Sequence, residues 1–120
     1  EIIPPASTQG VIAIQSTNFK NTEAEMDINN LLFKINDKNT EYETLAERSF
    51  LAFLDGSCRS PISSSAYIKD NNNLTLYGSI AKIDGTEVIK SSITGSVSDA
   101  VLLGQELGKE IISKGGNKIL

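Results

Sequence analysis

The feature that most constrains this fold is an amphipathic helix that has to end in a short loop. Apolar residues in the middle of the chain recur at spacings of three, four and one, which is typical of a helix with a wide buried stripe. These residues are Tyr42, Leu45, Ala46, Phe50, Phe53 and Leu54. Gly56 suits the left-handed position that ends many helices, and Pro61 prevents a return to helix. The pattern predicts a helix over residues 41–54.

Capping signals place the ends of the predicted helices. In a capping box, a Thr hydroxyl and a Glu carboxylate satisfy the free backbone donors of the first helical turn. The residues from Thr40 to Glu43 have this spacing, and so do the residues from Thr22 to Glu25. The second of these predicts an earlier helix that runs to about Asn36. A last helix is expected over residues 98–114, with Ser96 as its N-cap and glycines at 115 and 116 after its end.

Three stretches between the last two helices have the alternation of β-strands, at residues 62–69, 74–83 and 87–94. Asp84-Gly85 is typical of a two-residue hairpin. The predicted fold is therefore α+β, a three-stranded antiparallel sheet with helices on one face in the order α-β-β-β-α. The apolar run at residues 11–14 suits a further buried strand. We expect residues 1–38 to form a separate strand-helix segment that belongs to another sheet, and residues 39–120 to form the C-terminal domain.

The composition excludes several classes of function. The net charge is −4 and two of the eleven basic residues are arginine, which disfavours binding to nucleic acid. The apolar runs are only a few residues long, so no membrane span is expected. The chain has no histidine, which excludes His-ligated zinc sites and the Ser-His-Asp and Cys-His schemes. We therefore predict neither a metal site nor a nucleophile of these classes.

Cys58 is the single cysteine of the chain and lies two residues after Gly56. A thiol at this position could be a small buried side chain, a metal ligand, a nucleophile or a covalent anchor. Metal binding and Cys-His catalysis fail for want of a histidine or a second cysteine. One cysteine cannot form an internal disulfide, which fits a reducing compartment, and we expect a cytoplasmic protein.

The block from residue 46 to residue 62 reads AERSFLAFLDGSCRSPI. It resembles the porphobilinogen deaminase (hydroxymethylbilane synthase) family, whose third domain starts with A-E-R-x-F-L-x-x-L-x-G-G-C-x-x-P-I-G. Residues 5–14, PASTQGVIAI, resemble the family's P-A-x-x-Q-G strand, which returns from domain 2 into domain 1. Further matches are Leu76-Tyr77-Gly78, Asp84-Gly85, Asp99-Ala100 and Leu103-Gly104. The resemblance covers essentially the whole chain and implies that it comprises the end of domain 1 and all of domain 3.

The chain departs from the family pattern at three places. Ser57 and Ser63 replace the glycines before the cysteine and after Pro-Ile. Gln15-Ser16-Thr17 stands where relatives usually have Glu-Cys-Arg. The last change removes an arginine near the place where the family binds polypyrrole carboxylates, so the resemblance gives Thr17 no site role.

The resemblance implies a role for the cysteine. In the family it holds a dipyrromethane cofactor through a thioether, and four porphobilinogen molecules are condensed head to tail into hydroxymethylbilane with release of ammonia, in heme biosynthesis. Cys58 would be this covalent anchor, with Gly56, Ser57 and Arg59 as cofactor-binding neighbours. Gln9 and Gly10 would approach the substrate, or else simply begin a strand. Glu47 and Arg48 match a family pair, and a solvated or interhelical ion pair is the favoured interpretation over contact with the cofactor.

Much of the family's machinery is missing from this chain. The family keeps its catalytic aspartate and most of its carboxylate-binding arginines in domains 1 and 2, so we assign no catalytic residue here. Pyrrole carboxylates need a basic cleft, preferably of arginines, and a chain with two arginines and a net charge of −4 does not supply one. The chain also begins with Glu1. We expect a fragment that is inactive and free of cofactor when alone, and a full-length protein that is a monomer whose partners are porphobilinogen, polypyrrole intermediates and its own domains 1 and 2.

Two other functions are compatible with the same order of elements. A double-stranded RNA-binding domain is also α-β-β-β-α, but it needs lysines at the start of its last helix. The corresponding turn here, residues 96–99, reads SVSD. A stand-alone interaction or regulatory domain descended from the deaminase would differ in where its reading frame begins.

Overall fold

The structure is a computed structural model that describes residues 5–16, 23–54, 61–70 and 72–119, with the backbone alone for residues 23–25. Two helices come first, α1 (Glu23–Ile35) and α2 (Lys38–Phe53). Three strands follow, β1 (Ile62–Asp70), β2 (Asn73–Ala81) and β3 (Val88–Ser96). A 3₁₀ turn (Val97–Asp99) leads into α3 (Ala100–Ser113), and a second one (Gly116–Lys118) follows it.

The strands form one antiparallel sheet in the order β1-β2-β3. Ile62 of β1 pairs with Ile80, which in turn pairs with Ile89 of β3. Side chains alternate between the two faces of a strand, so this register places Leu74, Leu76 and Ile80 of β2 on the same buried face. The predicted α+β class and the order α-β-β-β-α are confirmed.

Both α2 and α3 pack on this apolar face of the sheet. Gly78 shows it directly, because a Cβ atom there would lie 2.6 Å from the Phe50 ring of α2 and 2.9 Å from Leu107 of α3. On β3, where Gly95 pairs with Leu74, a Cβ on Gly95 would lie 2.7 Å from Leu103 of α3. The helices approach so closely that the strands beneath them have no room for side chains at these two points. The prediction of helices on one face is confirmed.

The hydrophobic core comes entirely from the second part of the chain. Its buried members span Ala46 to Ile111, and they include no residue of the described segments before α2. They are Ala46, Phe50, Leu54, Ile62, Ala66, Leu74, Leu76, Ile80, Val97, Ala100, Leu103, Leu107 and Ile111.

The start of α2 differs from the predicted capping box. The helix begins at Lys38, and its N-cap is Asp37, whose Oδ1 accepts the Thr40 N–H at 2.8 Å. Aspartate is as good a cap as threonine or better, and here it lies three residues earlier, so Thr40 falls inside the first turn. Glu43, the other member of the predicted box, instead accepts the N–H of Ile68 in β1 at 2.9 Å. The other predicted box and Gly56 lie outside the residues or side chains that the structure describes.

The loop between β2 and β3 is longer than the predicted two-residue hairpin. Lys82 N–H bonds to the Glu87 carbonyl at 2.9 Å, so the loop proper comprises residues 83–86. Asp84 bonds to both the N–H and the hydroxyl of Thr86, which closes a turn of its own, and Gly85 has a φ of 73°. The end of α3 is as predicted, because Gly115 follows the C-cap with a φ of 101°.

The strand predicted at residues 11–14 is not formed, since residues 11–16 have no regular secondary structure. Ile12 is 91% exposed, and on α1 Phe33 is 69% exposed. A strand needs a partner for its backbone groups, and the described residues offer none to this segment. The radius of gyration is 16.5 Å, above the roughly 14 Å of a compact chain of this length. The described residues 11–16 and 26–36 therefore lie outside the compact core of the domain.

Candidate functional site

Residues 55–60, called here the cysteine segment, connect α2 to β1, and the core holds both of these elements in place. The predicted cofactor-binding residues Gly56, Ser57, Cys58 and Arg59 lie outside the described residues, which stop at Leu54 and resume at Pro61. On one side, Leu54 is buried and its N–H caps the end of α2 by bonding to Phe50 and Ala52 carbonyls. On the other, the Pro61 carbonyl accepts the Ala81 N–H at 3.0 Å. The two ends of the segment are therefore fixed relative to the sheet.

Two glutamates of α2 hold the free edge of β1. Glu47 Oε1 accepts the Ala66 N–H at 2.8 Å, and Glu43 Oε1 accepts the N–H of Ile68, two residues further along β1, at 2.9 Å. β1 is an edge strand, and an edge presents unpaired N–H groups that attract other strands. The two carboxylates occupy these donors. The interpretation of Glu47 as part of an ion pair is wrong for the described residues, because its oxygens take backbone N–H groups.

Burial shapes the electrostatics of Glu47. Desolvation raises the pKa of its carboxyl above the ordinary value, and the nearby Glu43 charge acts in the same direction. The bonds from the Thr8 and Ala66 N–H groups favour the ionised form but do not outweigh the burial. Glu47 is thus a carboxylate held at an electrostatic cost to the folded state.

We expect Glu47 to make stability depend on pH. Because its folded pKa is raised, the folded state binds the proton more tightly than the unfolded one. Its contribution is fully present below the unfolded glutamate pKa of about 4.3 and is lost as pH rises through the folded pKa. In urea unfolding from pH 4 upwards, the stability of wild type relative to Glu47→Gln should therefore fall as pH rises.

Taking this difference between the two proteins cancels the contribution of carboxyls whose pKa is lowered, such as Asp37 and Asp70. Those groups make stability rise with pH in both proteins. A difference that stays constant or grows with pH would contradict the raised pKa of Glu47.

The structure places Gln9 and Gly10 in an exposed turn rather than in a strand. Gln9 N–H bonds to the Ala6 carbonyl at 3.1 Å, and the Gln9 side-chain oxygen accepts the Ala6 N–H at 3.3 Å. Gly10 has a φ of 92°. The turn is built from its own backbone, so Gln9 and Gly10 are presented at the surface. A role for them in binding substrate stays a prediction.

Several basic side chains of the described residues are already paired with carboxylates. Arg48 is exposed, and Lys38, Lys82 and Lys114 are each paired with a carboxylate. In the part of the chain that the structure describes, no three His, Cys, Asp or Glu residues cluster as metal ligands, and no helix is long and apolar enough to cross a membrane.

The face of the sheet opposite the helices carries a shallow depression of about 470 Å³. Its lining includes many hydroxyl groups, the edge-to-face pair Tyr67 and Tyr77, and two lysines, Lys69 and Lys90. The alternation of Ser, Tyr and Lys in β1 could have revealed this polar face from the sequence. The contact of Glu47 with Thr8 joins residues 39 apart, and nothing in the sequence pattern indicates it.

Comparison with known proteins gives one consistent result. Residues 41–113 match the family profile "Porphobilinogen deaminase, C-terminal domain". The matched residues include all the buried core and the cysteine segment.

Curated relatives match over the whole length of the chain. The chain is 39% identical to a porphobilinogen deaminase of Desulforamulus reducens over 125 residues, which cover 100% of the chain and 38% of that protein. It is 36% identical to one from an Exiguobacterium species and 33% identical to one from Deinococcus radiodurans, again over 100% of the chain and 37% of each relative. The chain thus spans little more than a third of the length of these relatives.

Proposed function

The chain belongs to the porphobilinogen deaminase family, and on that premise we propose that it is the C-terminal portion of a hydroxymethylbilane synthase. The whole protein would be a transferase of tetrapyrrole (heme) biosynthesis that condenses four porphobilinogen molecules into hydroxymethylbilane with release of ammonia. The observation that carries this proposal is that the family match contains the whole core and the segment with Cys58.

The role of this portion would be to carry the covalent anchor. The dipyrromethane cofactor would supply the first two pyrrole rings, to which substrate units are added. Cys58 would hold it by a thioether, with Gly56, Ser57 and Arg59 shaping the loop. The fixed ends of the segment at Leu54 and Pro61 support this role, because they give a tether a defined origin on the domain.

The carboxylates of the pyrroles would be held by other domains of the same protein. Three lysines of the described residues are already paired with carboxylates, and the whole chain has a net charge of −4. Arginine forks are the residues best suited to carboxylates, and the chain has two arginines. Gln9 and Gly10, exposed in their turn, would approach the substrate from this portion.

The domain division at residue 38 fits the distribution of apolar surface. Every buried core residue lies at or after Ala46, whereas Ile12, Ile14, Leu31 and Ile35 are all more than half exposed. Apolar side chains exposed to water both at residues 11–14 and on α1 indicate a missing partner surface. We assign residues 1–38 to a domain whose sheet is formed mainly by the preceding part of the full-length protein. That protein would be a cytoplasmic monomer, with neither nucleic acid nor membrane as a partner.

The proposal predicts that the chain alone is inactive. Without the domains that would bind the carboxylates, it should neither acquire dipyrromethane nor consume porphobilinogen, whereas the full-length protein should do both. The measurement is porphobilinogen consumption by equal amounts of the two proteins, together with their intact masses.

The comparison of the chain alone with the full-length protein tests two separate parts of the proposal. Turnover or a cofactor mass in the chain alone would contradict the assignment of the binding machinery to the other domains. A full-length protein that takes up no porphobilinogen would overturn the proposed function and favour a stand-alone interaction domain.

A further inference from the structure

A short segment before the domain is tied onto it by polar contacts. The Thr8 N–H donates to Glu47 Oε2 at 2.6 Å, while the other oxygen of the same carboxylate takes the Ala66 N–H. Next to it, the hydroxyl oxygens of Ser7 and Ser64 lie 2.6 Å apart and share a hydrogen bond. We call residues 7 and 8 the strap. Glu47 thus joins the strap, α2 and β1 through one side chain.

The backbone of the strap is strained. Thr8 has a φ of 60°, and among the described residues it is the one non-glycine with a positive φ. A β-branched residue is a rare outlier in this left-handed region, because its Cβ crowds the neighbouring backbone. Such a conformation persists only where the surroundings fix it. Two contacts hold Thr8 here: its N–H makes a charge-assisted bond to Glu47, and its carbonyl accepts the Val11 N–H at 3.2 Å.

The strap is not simply held by hydrophobic packing. The residues that follow the turn, Val11 to Ile14, are exposed, and no described residue before α2 belongs to the core. Ser64, by contrast, is a polar residue that is only 1% exposed, and its hydroxyl forms a hydrogen bond with the hydroxyl of Ser7. Polar contacts with a single geometry therefore determine where the strap lies.

Glu47 also lies at a fixed distance from the end of α2, where the cysteine segment begins. It lies on α2 seven residues before Leu54, which corresponds to about 10 Å along a helix. Gln9 and Gly10 come directly after Thr8 in the same turn. One rigid helix thus carries the contact that places this turn and, at its end, the segment that contains Cys58.

We propose that Glu47 is a positioning residue that holds the Gln9–Gly10 turn at a set distance from the end of α2 that leads to the anchor. The inference rests on the proposed function, since the distance between this turn and the end of α2 affects the rate only if the tethered pyrrole chain reacts next to the turn. Misplacing reacting groups by about 1 Å can cost on the order of a hundredfold in rate.

The first experiment tests the strap without reference to activity. Hydrogen exchange of the Thr8 amide is measured in the 120-residue chain as wild type, Glu47→Ala and Glu43→Ala. Glu47→Ala should speed exchange at Thr8 by roughly tenfold to a hundredfold, because a bond to a charged acceptor is lost. Glu43→Ala is the matched control on the same helix and should speed exchange at Ile68 only. Equal Thr8 exchange in wild type and Glu47→Ala would overturn the proposal.

The second experiment tests positioning in the full-length protein. Glu47→Ala should still load dipyrromethane, shown by intact mass, but its kcat should fall about tenfold or more with KM little changed. Glu43→Ala should keep its kcat. An unchanged kcat in Glu47→Ala would overturn the positioning role and leave the proposed function standing. An inactive wild type would overturn both, while the Thr8 exchange result would still decide whether Glu47 holds the strap.

Discussion

Replacing Cys58 with alanine in the full-length protein should abolish formation of the holoenzyme and with it the activity. Without the thiol there is no covalent origin for the growing chain, and each addition has to start from a freely diffusing pyrrole. Tethering is worth effective molarities of about 10⁵ M and above, so we expect a loss of at least roughly a thousandfold. Hydroxymethylbilane formation under saturating porphobilinogen measures it.

The fold of that variant should be intact. The ends of the cysteine segment are set by Leu54, whose N–H caps α2, and by the Pro61 carbonyl, which takes the Ala81 N–H. Neither contact involves the thiol, so the midpoint of urea unfolding should match wild type within experimental error. Normal activity of Cys58→Ala would contradict the anchor hypothesis. A large loss of stability would instead show that Cys58 is a structural side chain.

Gly104→Ala should destabilise the domain. The change gains about 1 kcal/mol of helix propensity. However, a Cβ at this position would lie 2.5 Å from the Ala46 carbonyl oxygen and 2.7 Å from the Phe50 N of α2, and backbone atoms cannot rotate away. Overpacking of this kind costs about 1–3 kcal/mol net, a large part of the stability of a small domain. The free energy of urea unfolding measures it.

Gly108→Ala is the matched control on the same helix. It has the same gain in propensity, but the added Cβ meets the side chain of Phe53, which is 40% exposed at the end of α2 and can turn outward. We expect a loss of less than about 1 kcal/mol. If Gly108→Ala proves as costly as Gly104→Ala, the close approach of the α2 and α3 backbones does not explain the glycine at 104.

The C-terminal domain was predictable because local and long-range signals agree in it. The apolar stripe of α2 and the alternation in β2 each indicate the face that is buried, and in the structure Phe50 lies against Gly78 of β2. Boundaries were less predictable. Asp37 and Thr40 both suit an N-cap, and the sequence alone does not tell which of them the backbone will use.

The contacts that join the two parts of the chain were not predictable. A glutamate on a helix is usually solvated, and the bonds of Glu47 depend on strand β1 and residue Thr8 meeting on one side of α2. The strand predicted at residues 11–14 has the right apolar pattern but no partner among the described residues. Strand formation depends on pairing as well as on pattern, so the sequence could not decide it.

For Cys58, the residue pattern alone did not decide the role, but the resemblance to a family did favour one. Its residue type and spacing leave a buried side chain and a covalent anchor both open, and only the resemblance of the flanking residues favours the anchor. The fixed ends of its segment add a physical requirement that a tether should meet.

The most direct measurement of the central claim is the mass of one peptide from the active full-length protein. Trypsin cleaves after Arg48 and Arg59, which releases residues 49–59 with Cys58 as the single thiol. We expect this peptide to carry the added mass of a dipyrromethane, with fragmentation that places it on Cys58. An unmodified 49–59 peptide from protein that forms hydroxymethylbilane would contradict the claim that this domain carries the anchor.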